Sequence, residues 1–177
     1  MTTEIARLTA QKITKKLPPD ELKARILDFF KEQTMCTICT SKDDEPRGTP
    51  LEYFNKGMNL YIIGDPGVKI RNIRANPRVC VSMYNNLYPD WPAEVWRTIK
   101  AAQVTGEATL ITPEDPEYPE ALEVYHWEPY LKSYGRDPKD RPRVPHLIKV
   151  VSKTIEYQEP GLLTKGYARK QVWKAPE

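Results

Sequence analysis

The sequence predicts a mainly β, α+β protein in which six or seven antiparallel strands form a closed or nearly closed barrel with two or three flanking helices. Short segments rich in β-branched and aromatic residues recur along the chain, and turn residues such as Gly, Pro, Asn and Asp separate them. Apolar residues at helical spacing are confined to a few segments. Short strands joined by tight turns favour a barrel, because closing the sheet removes its exposed edges.

Length and composition indicate one globular domain. The chain has 177 residues, of which 40% are hydrophobic and 29% charged, and a chain of this length buries about two-thirds of its unfolded surface. We interpret residues 1–177 as a single domain, with 1–18 as a helical arm and 159–177 as a C-terminal tail. A net charge of +3, with acidic residues mixed among the basic ones, argues against a nucleic-acid partner.

The same composition argues against a membrane partner and favours the cytoplasm. No apolar run approaches the roughly 20 residues that cross a bilayer, and no apolar signal segment follows Met1. Three cysteines, an odd number, fit a reducing interior.

Two helices are predicted before the first strand. Residues 3–16 carry a thin apolar stripe, and a helix this short must pack against another surface because it is marginal alone. A second helix of about four turns begins at Pro18-Pro19-Asp20. Its apolar side consists of Leu22, Ile26, Phe29 and Phe30.

The strands follow, with one short helix between them. The six predicted strands are MCTICTS after Thr34, Arg47–Phe54, Asn59–Gly64, Arg78–Asn85, Ile99–Ile111 and His146–Gln158, and Lys165–Lys174 is the candidate for a seventh. Pro50 cannot donate a ladder hydrogen bond, so we expect the second strand to be locally interrupted, edge-like or bulged near it. Gly106 predicts a bulge. The helix spans about Val68–Ala75, and residues 114–134 are predicted to be helical in pieces.

The stretch from Arg47 to Val81 carries the main functional signal. Arg47 lies at the start of a strand, and Lys69 lies at the head of the helix after the Pro66-Gly67 turn. Two cations beside the amide groups of a helix start suit a phosphorylated cofactor.

The order and spacing of these elements resemble the FMN-binding split barrels related to pyridoxamine 5′-phosphate oxidase, over roughly residues 20–158. The resemblance rests on a helix before the first strand, on PRGTPLEYF and NLYIIG as successive strands, and on a lysine shortly before NPRV. It implies a split β-barrel that binds FMN, acts on a small-molecule redox substrate and forms a homodimer with the flavin at the interface.

The resemblance also implies which residues bind the cofactor, with Lys69 as the phosphate ligand. The set is Arg47, Thr49, Pro50, Leu51, Ile62, Ile63, Val68, Lys69 and Trp173. Two features depart from the family pattern: Val68 replaces an arginine, and residues 165–174 lack the arginine-rich signature that binds the vitamin's phosphate. We therefore expect no useful oxidation of pyridoxine or pyridoxamine phosphate.

Other candidate groups have simpler interpretations. Cys36 and Cys39, three residues apart on a strand, point to opposite faces, so we expect no metal site there and interpret them, like Cys80, as core residues. His126 is interpreted as a packed, hydrogen-bonded residue, and His146, which opens a strand, is assigned no role. No catalytic acid or base is identified, which flavin chemistry tolerates because the cofactor carries the electrons.

The leading hypothesis is an FMN-dependent oxidoreductase or flavin reductase of unknown substrate. One alternative is a non-enzymatic protein that stores or senses flavin, and another is a barrel that binds a deazaflavin or haem, with His126 or His146 as the axial ligand. Apolar residues outside the barrel support a dimer. They are Ile5, Leu8 and Ile13 on the arm, with Trp91 and Trp96 on a loop that could instead wall an aromatic ligand.

Overall fold

The computed structural model describes residues 3–85, 94–125, 127–137, 139–140 and 144–176. The helices are α1 (Glu4–Ala10), α2 (Pro19–Glu32), α3 (Val68–Ala75), α4 (Tyr118–Glu123) and α5 (Trp127–Ser133), and two 3₁₀ helices span Val95–Arg97 and Pro160–Lys165. The strands are β1 (Met35–Lys42), β2 (Glu45–Glu52), β3 (Phe54–Lys56), β4 (Asn59–Ile63), β5 (Arg78–Tyr84), β6 (Ala101–Ile111), β7 (Leu147–Gln158) and β8 (Lys170–Lys174).

The eight strands form one antiparallel sheet in the order β2-β1-β5-β6-β7-β4-β3, and β8 pairs with the C-terminal part of β7. The outer strands β2 and β3 are consecutive in the chain and are joined by Tyr53 alone. Because one residue connects the two edges, the sheet must curl until those edges approach each other. This half-barrel with flanking helices confirms the predicted split barrel, and β2 and β3 counted as one interrupted strand give seven strands.

The expectation of an edge-like strand at Pro50 is confirmed, because β2 lies at the edge of the sheet, but the interruption of the strand lies at Tyr53 and not at Pro50. Pro50 stays in the ladder opposite Thr37, because β2 is an edge strand and a missing N–H leaves no outer neighbour unsatisfied. Tyr53 is 2% exposed, and its hydroxyl donates a hydrogen bond to the carbonyl oxygen of Phe30 at 3.0 Å. The ring of Tyr53 is therefore held under α2, while its amide donates to the carbonyl oxygen of Thr34 at 3.1 Å.

The N-terminal helix is shorter than predicted, because Lys12 adopts a left-handed φ of 50° shortly after α1 ends. Leu8 is nevertheless buried. The arm packs on the C-terminal part of the same chain: α1 contacts Pro160–Lys165, and the amide of Ala168 donates to the carbonyl oxygen of Lys15 at 2.8 Å. Leu8 therefore does not require a second copy to cover it.

In the second half of the chain, the bulge was predicted correctly and the start of the C-terminal strand was not. The register of β6 against β7 shifts between Thr105 and Gly106, which confirms the predicted bulge; a Cβ on Gly106 would overlap the carbonyl oxygen of Val151. The C-terminal strand begins only at Lys170, because a 3₁₀ helix runs to Lys165 and a turn with Gly166 at a left-handed φ of 75° follows it. Trp91 lies outside the described residues, while Trp96 is half-buried under the guanidinium of Arg97.

The core has two parts, and the candidate site lies beside the second. α2 packs Ile26, Phe29 and Phe30, each at most 1% exposed, against the inside of the barrel. α4 and α5 form a smaller, aromatic cluster with residues of β4, β6 and β7. Among the described residues, no helix is long and apolar enough to cross a membrane.

Candidate functional site

The start of α3 provides an anion-binding position. No side chain caps the first turn of this helix, so the amide groups there have no side-chain acceptor. Lys69 is only 8% exposed, and its Nζ donates one hydrogen bond, to the carbonyl oxygen of Asp65 at 2.9 Å. Among the described residues no carboxylate pairs with Lys69, although an ammonium has three donors. A buried cation without an anionic partner is expensive, and a bound anion relieves that cost.

Arg47 lies on the side of the sheet that α3 covers. It is directly opposite Thr40 in the register of β1 and β2, so the two side chains share a face. The Oγ1 of Thr40 accepts a hydrogen bond from Nδ2 of Asn72 at 3.1 Å, and Asn72 is about one helical turn beyond Lys69. The register and this hydrogen bond therefore place Arg47 and Lys69 on the same side of the sheet.

Thr49 follows Arg47 on this face and carries an unsatisfied polar atom. Its Oγ1 is buried and has no hydrogen-bond partner among the described residues. A buried hydroxyl without a partner costs about 1–3 kcal/mol. Thr49 Oγ1 is therefore a position at which a bound ligand can supply the missing partner.

A cavity of about 370 Å³ lies between the strand ends and α5 with the residues that flank it. The strand side consists of Leu51, Glu52, Phe54, Ile63 and Asp65, and the other side of Tyr125, Trp127, Tyr130 and Val144. This volume is within the range of small-molecule sites. Asp65 links the two parts of the site, since its carbonyl binds Lys69 and the residue also lines the cavity.

The aromatic side of the cavity is a series of contacting rings. Tyr125 lies 4.5 Å from Phe54 and 5.3 Å from Trp127, measured between ring centroids. Burial raises the pKa of the Tyr125 phenol well above its usual range, and the nearby charges of Glu52 and Asp65 raise it further. Tyr125 is therefore neutral at physiological pH.

The structure gathers most of the predicted cofactor residues around α3 and the cavity. These are Arg47, Thr49, Leu51, Ile63, Val68 and Lys69. Leu51 and Ile63 line the cavity directly, and Val68 is the first residue of α3.

The other three predicted residues lie elsewhere in the same chain. Ile62 is 0% exposed and faces the core, opposite to Ile63 because alternate strand residues face opposite ways. Pro50 faces the other side of β2 from Leu51 and lines a separate groove. Trp173 pairs with Ile155, eight residues along β7 from the partner of Ile63, which is roughly 26 Å.

The sequence reasoning did not identify the residues that form most of the cavity. Glu52, Asp65, Tyr125, Trp127 and Tyr130 were not predicted as site residues. The only signal was the density of aromatic residues between Tyr125 and Tyr130. Their spacing does not reveal that they pack beside β4, because that contact joins segments about 60 residues apart in the sequence.

The prediction that the cysteines are core residues is confirmed for Cys36 only. Cys36 is 4% exposed and belongs to the core; burial, followed by the charge of Cys39, raises the pKa of its thiol to about 12. Cys39 lies on the opposite face, half-buried beside Cys80 in the register of β1 and β5. The prediction of core residues is therefore wrong for Cys39 and Cys80, because they occupy the outer face of the sheet.

His146 is bound to a neighbouring side chain, and His126 lies outside the described residues. The guanidinium of Arg74 donates to Nε2 of His146 at 3.0 Å, since an arginine can only donate. The Nδ1 of His146 is buried and has no partner among the described residues. Among all the residues that the structure describes, no three His, Cys, Asp or Glu side chains are grouped so that they could hold a metal ion.

Comparisons with known proteins agree with this fold. A family model described as pyridoxamine 5′-phosphate oxidase matches residues 22–158. General Stress Protein 26 from Bacillus anthracis strain Sterne is 25% identical, with a TM-score of 0.55 over 77% of this chain and 93% of that chain.

Two other solved structures share the fold at lower identity. An FAD-binding protein from Mesorhizobium loti is 17% identical, with a TM-score of 0.57 over 80% of this chain and 92% of that chain. A heme-binding protein from Mycobacterium smegmatis is 15% identical, with a TM-score of 0.58 over 89% of this chain and 59% of that chain. The search of the curated proteins found no match.

Proposed function

Because the chain belongs to the pyridoxamine 5′-phosphate oxidase family, we propose that it is an FMN-binding oxidoreductase or flavin reductase. The observation that carries the proposal is Lys69, a buried ammonium at an uncapped helix start with no carboxylate partner among the described residues. A phosphate monoester carries a charge of about −1.5 to −2 at pH 7. Lys69 and Arg47 together match that charge.

The remaining residues fit the rest of an FMN molecule. Lys69 and Arg47 would hold the phosphate, with the amide groups at the start of α3 as further donors. The Thr49 hydroxyl would form a hydrogen bond with the ligand, and Oγ1 would then have the partner that it lacks among the described residues. Leu51 and Ile63 offer an apolar surface for the ring. When bound, FMN supplies hydride-transfer chemistry, and the protein supplies position and excludes solvent.

A haem-binding function is less well supported. Haem needs an axial ligand, and Nε2 of His146 already accepts a hydrogen bond from Arg74, while its Nδ1 is buried. His146 could reach an iron only after leaving Arg74. The buried cation at Lys69 also favours a ligand with a phosphate.

The absorption spectrum of the protein tests the cofactor. We expect the purified or reconstituted protein to show the two-band spectrum of a bound flavin and to take up one FMN per chain. A Soret band or a single deazaflavin band would contradict the proposal. Reduction of the bound FMN by a nicotinamide cofactor, followed by turnover with an electron acceptor, separates an oxidoreductase from a storage or sensing protein. In the same assay we expect no turnover of pyridoxine 5′-phosphate.

We further propose that the protein is a homodimer with the flavin at its interface. The support is that Trp173, a residue implied in flavin binding, lies roughly 26 Å along β7 from the partner of Ile63 in its own chain. Only a second copy could bring a Trp173 close to the ring. If the flavin contacts both copies, it binds the dimer more tightly and must favour association.

Sedimentation of the apo and FMN-loaded protein over a dilution series tests the shared site. We expect the FMN-loaded protein to remain dimeric at concentrations at which the apo protein dissociates. A monomer that retains its flavin, or a dissociation constant that FMN does not change, would contradict it.

A further inference from the structure

The cavity in which Leu51 and Ile63 would face the flavin ring also carries negative charge that FMN binding does not use. Two of its nine described lining residues, Glu52 and Asp65, are carboxylates, and none of the nine is a cation. Within the described ranges neither carboxylate forms a hydrogen bond or an ion pair. Both residues are exposed, so they lie at the mouth of the cavity and not in the core.

The opposite side of the cavity is aromatic and held in place. Trp127 is 6% exposed, and its Nε1 donates to the carbonyl oxygen of Leu122 at 2.8 Å. Its ring lies 5.3 Å from that of Tyr125 and 5.9 Å from that of Tyr130, measured between centroids. Tyr130 is 48% exposed, so the series of rings continues to the surface. Aromatic faces attract planar rings and cations, and both attractions strengthen as water is excluded.

The phosphate site does not cancel this charge. Lys69 is connected to the cavity through the carbonyl of Asp65. A bound phosphate would neutralise the positive charges of both Lys69 and Arg47. Among the described lining residues, Glu52 and Asp65 are then the only charged side chains, and a second anion in the cavity would meet their like charge.

We propose that the second substrate of this site is a planar aromatic cation, of the class of N-alkylated pyridinium or quinolinium rings, and not a phosphorylated or carboxylated ring. As an assignment of substrate class this rests on the proposed flavin function. The recognition itself depends only on the aromatic wall and on Glu52 and Asp65, which are present without flavin.

Calorimetric titrations of the apo and FMN-loaded protein with three probes test the inference. The probes are 1-methylquinolinium, neutral quinoline and quinoline-4-carboxylate, which share a ring system and differ in charge. We expect the cation to bind about tenfold more tightly than the carboxylate and about fivefold more tightly than quinoline, with the preference falling as salt is added. Equal binding of cation and carboxylate, or tighter binding of the carboxylate, would overturn the inference.

Two double variants test whether Glu52 and Asp65 cause the preference for the cation. Glu52→Gln combined with Asp65→Asn should reduce the preference for the cation to less than about twofold. The control is Asp43→Asn combined with Asp44→Asn, which changes net charge equally. Both residues are exposed with left-handed φ values of 52° and 60°, which asparagine tolerates. They precede β2, whose first residue, Glu45, already lies roughly 23 Å along the strand from Glu52.

The control should keep the wild-type preference, and an equal loss in both variants would overturn the assignment of Glu52 and Asp65. FMN uptake is measured on the same samples. Selective cation binding without FMN binding would refute the flavin function alone, whereas FMN binding without cation selectivity would refute this inference alone.

Discussion

Replacing Lys69 with alanine is expected to weaken FMN binding about tenfold to a hundredfold while leaving riboflavin binding nearly unchanged. The ammonium of Lys69 is buried at the start of α3 and bonded only to the carbonyl of Asp65 among the described residues. A hydrogen bond to a charged group contributes about 1.5–3 kcal/mol, and about 1.4 kcal/mol corresponds to a tenfold change in affinity. Riboflavin lacks the phosphate and loses nothing when the cation is removed.

Titration of each variant with FMN and with riboflavin, followed by quenching of flavin fluorescence, measures the two affinities. Lys69→Met retains most of the buried stem without the charge, and should show the same selective loss as Lys69→Ala. Arg71→Ala removes an exposed cation from the same helix and should weaken FMN less than about twofold. If both ligands lose affinity equally at Lys69, the residue supports the fold and does not bind phosphate.

Replacing Phe29 with alanine is expected to lower the free energy of unfolding by about 3–5 kcal/mol. Phe29 is 0% exposed, and its ring lies 5.9 Å from that of Tyr157 on β7. It therefore joins α2 to the inside of the barrel, and truncation leaves a cavity that the sheet cannot close. Since a domain is stable by only about 5–15 kcal/mol, the variant loses a large share of its stability.

Urea unfolding of the apo protein, followed by circular dichroism and by fluorescence, measures this loss. Val172→Ala is the control, because it also truncates an apolar side chain, but at a position that is 43% exposed. We expect the control to change the free energy of unfolding by less than about 1 kcal/mol. Equal losses in the two variants would show that α2 is not packed against the barrel through Phe29.

Much of the fold is predictable from the sequence because it depends on local signals. The expected helix start at Pro18-Pro19-Asp20 agrees with α2, and α3 has the predicted bounds of Val68–Ala75. The bulge at Gly106 was also predicted. Proline, glycine and apolar periodicity restrict the backbone within a few residues of themselves, so their effect survives in any tertiary context.

The candidate site was predicted only in part. Local patterns predicted Arg47 at a strand start and Lys69 at a helix start. In the structure Arg47 is the third residue of β2 and Lys69 the second of α3, and both lie on one side of the sheet. The cofactor set implied by family resemblance also contained Ile62, which faces the core. Alternation predicts that Ile62 and Ile63 point in opposite directions, but not which of them faces a ligand.

Tertiary structure alone decided which faces of the strands became the site. The sheet curls because Tyr53 joins its two edges, and this curl turns Leu51 towards the cavity and Pro50 away from it. The aromatic wall forms because α4 and α5 pack beside β4, from which they are distant in sequence. Such long-range contacts depend on the burial of surface that no short segment encodes, so the charge of Glu52 and Asp65 beside Trp127 became visible only in the folded chain.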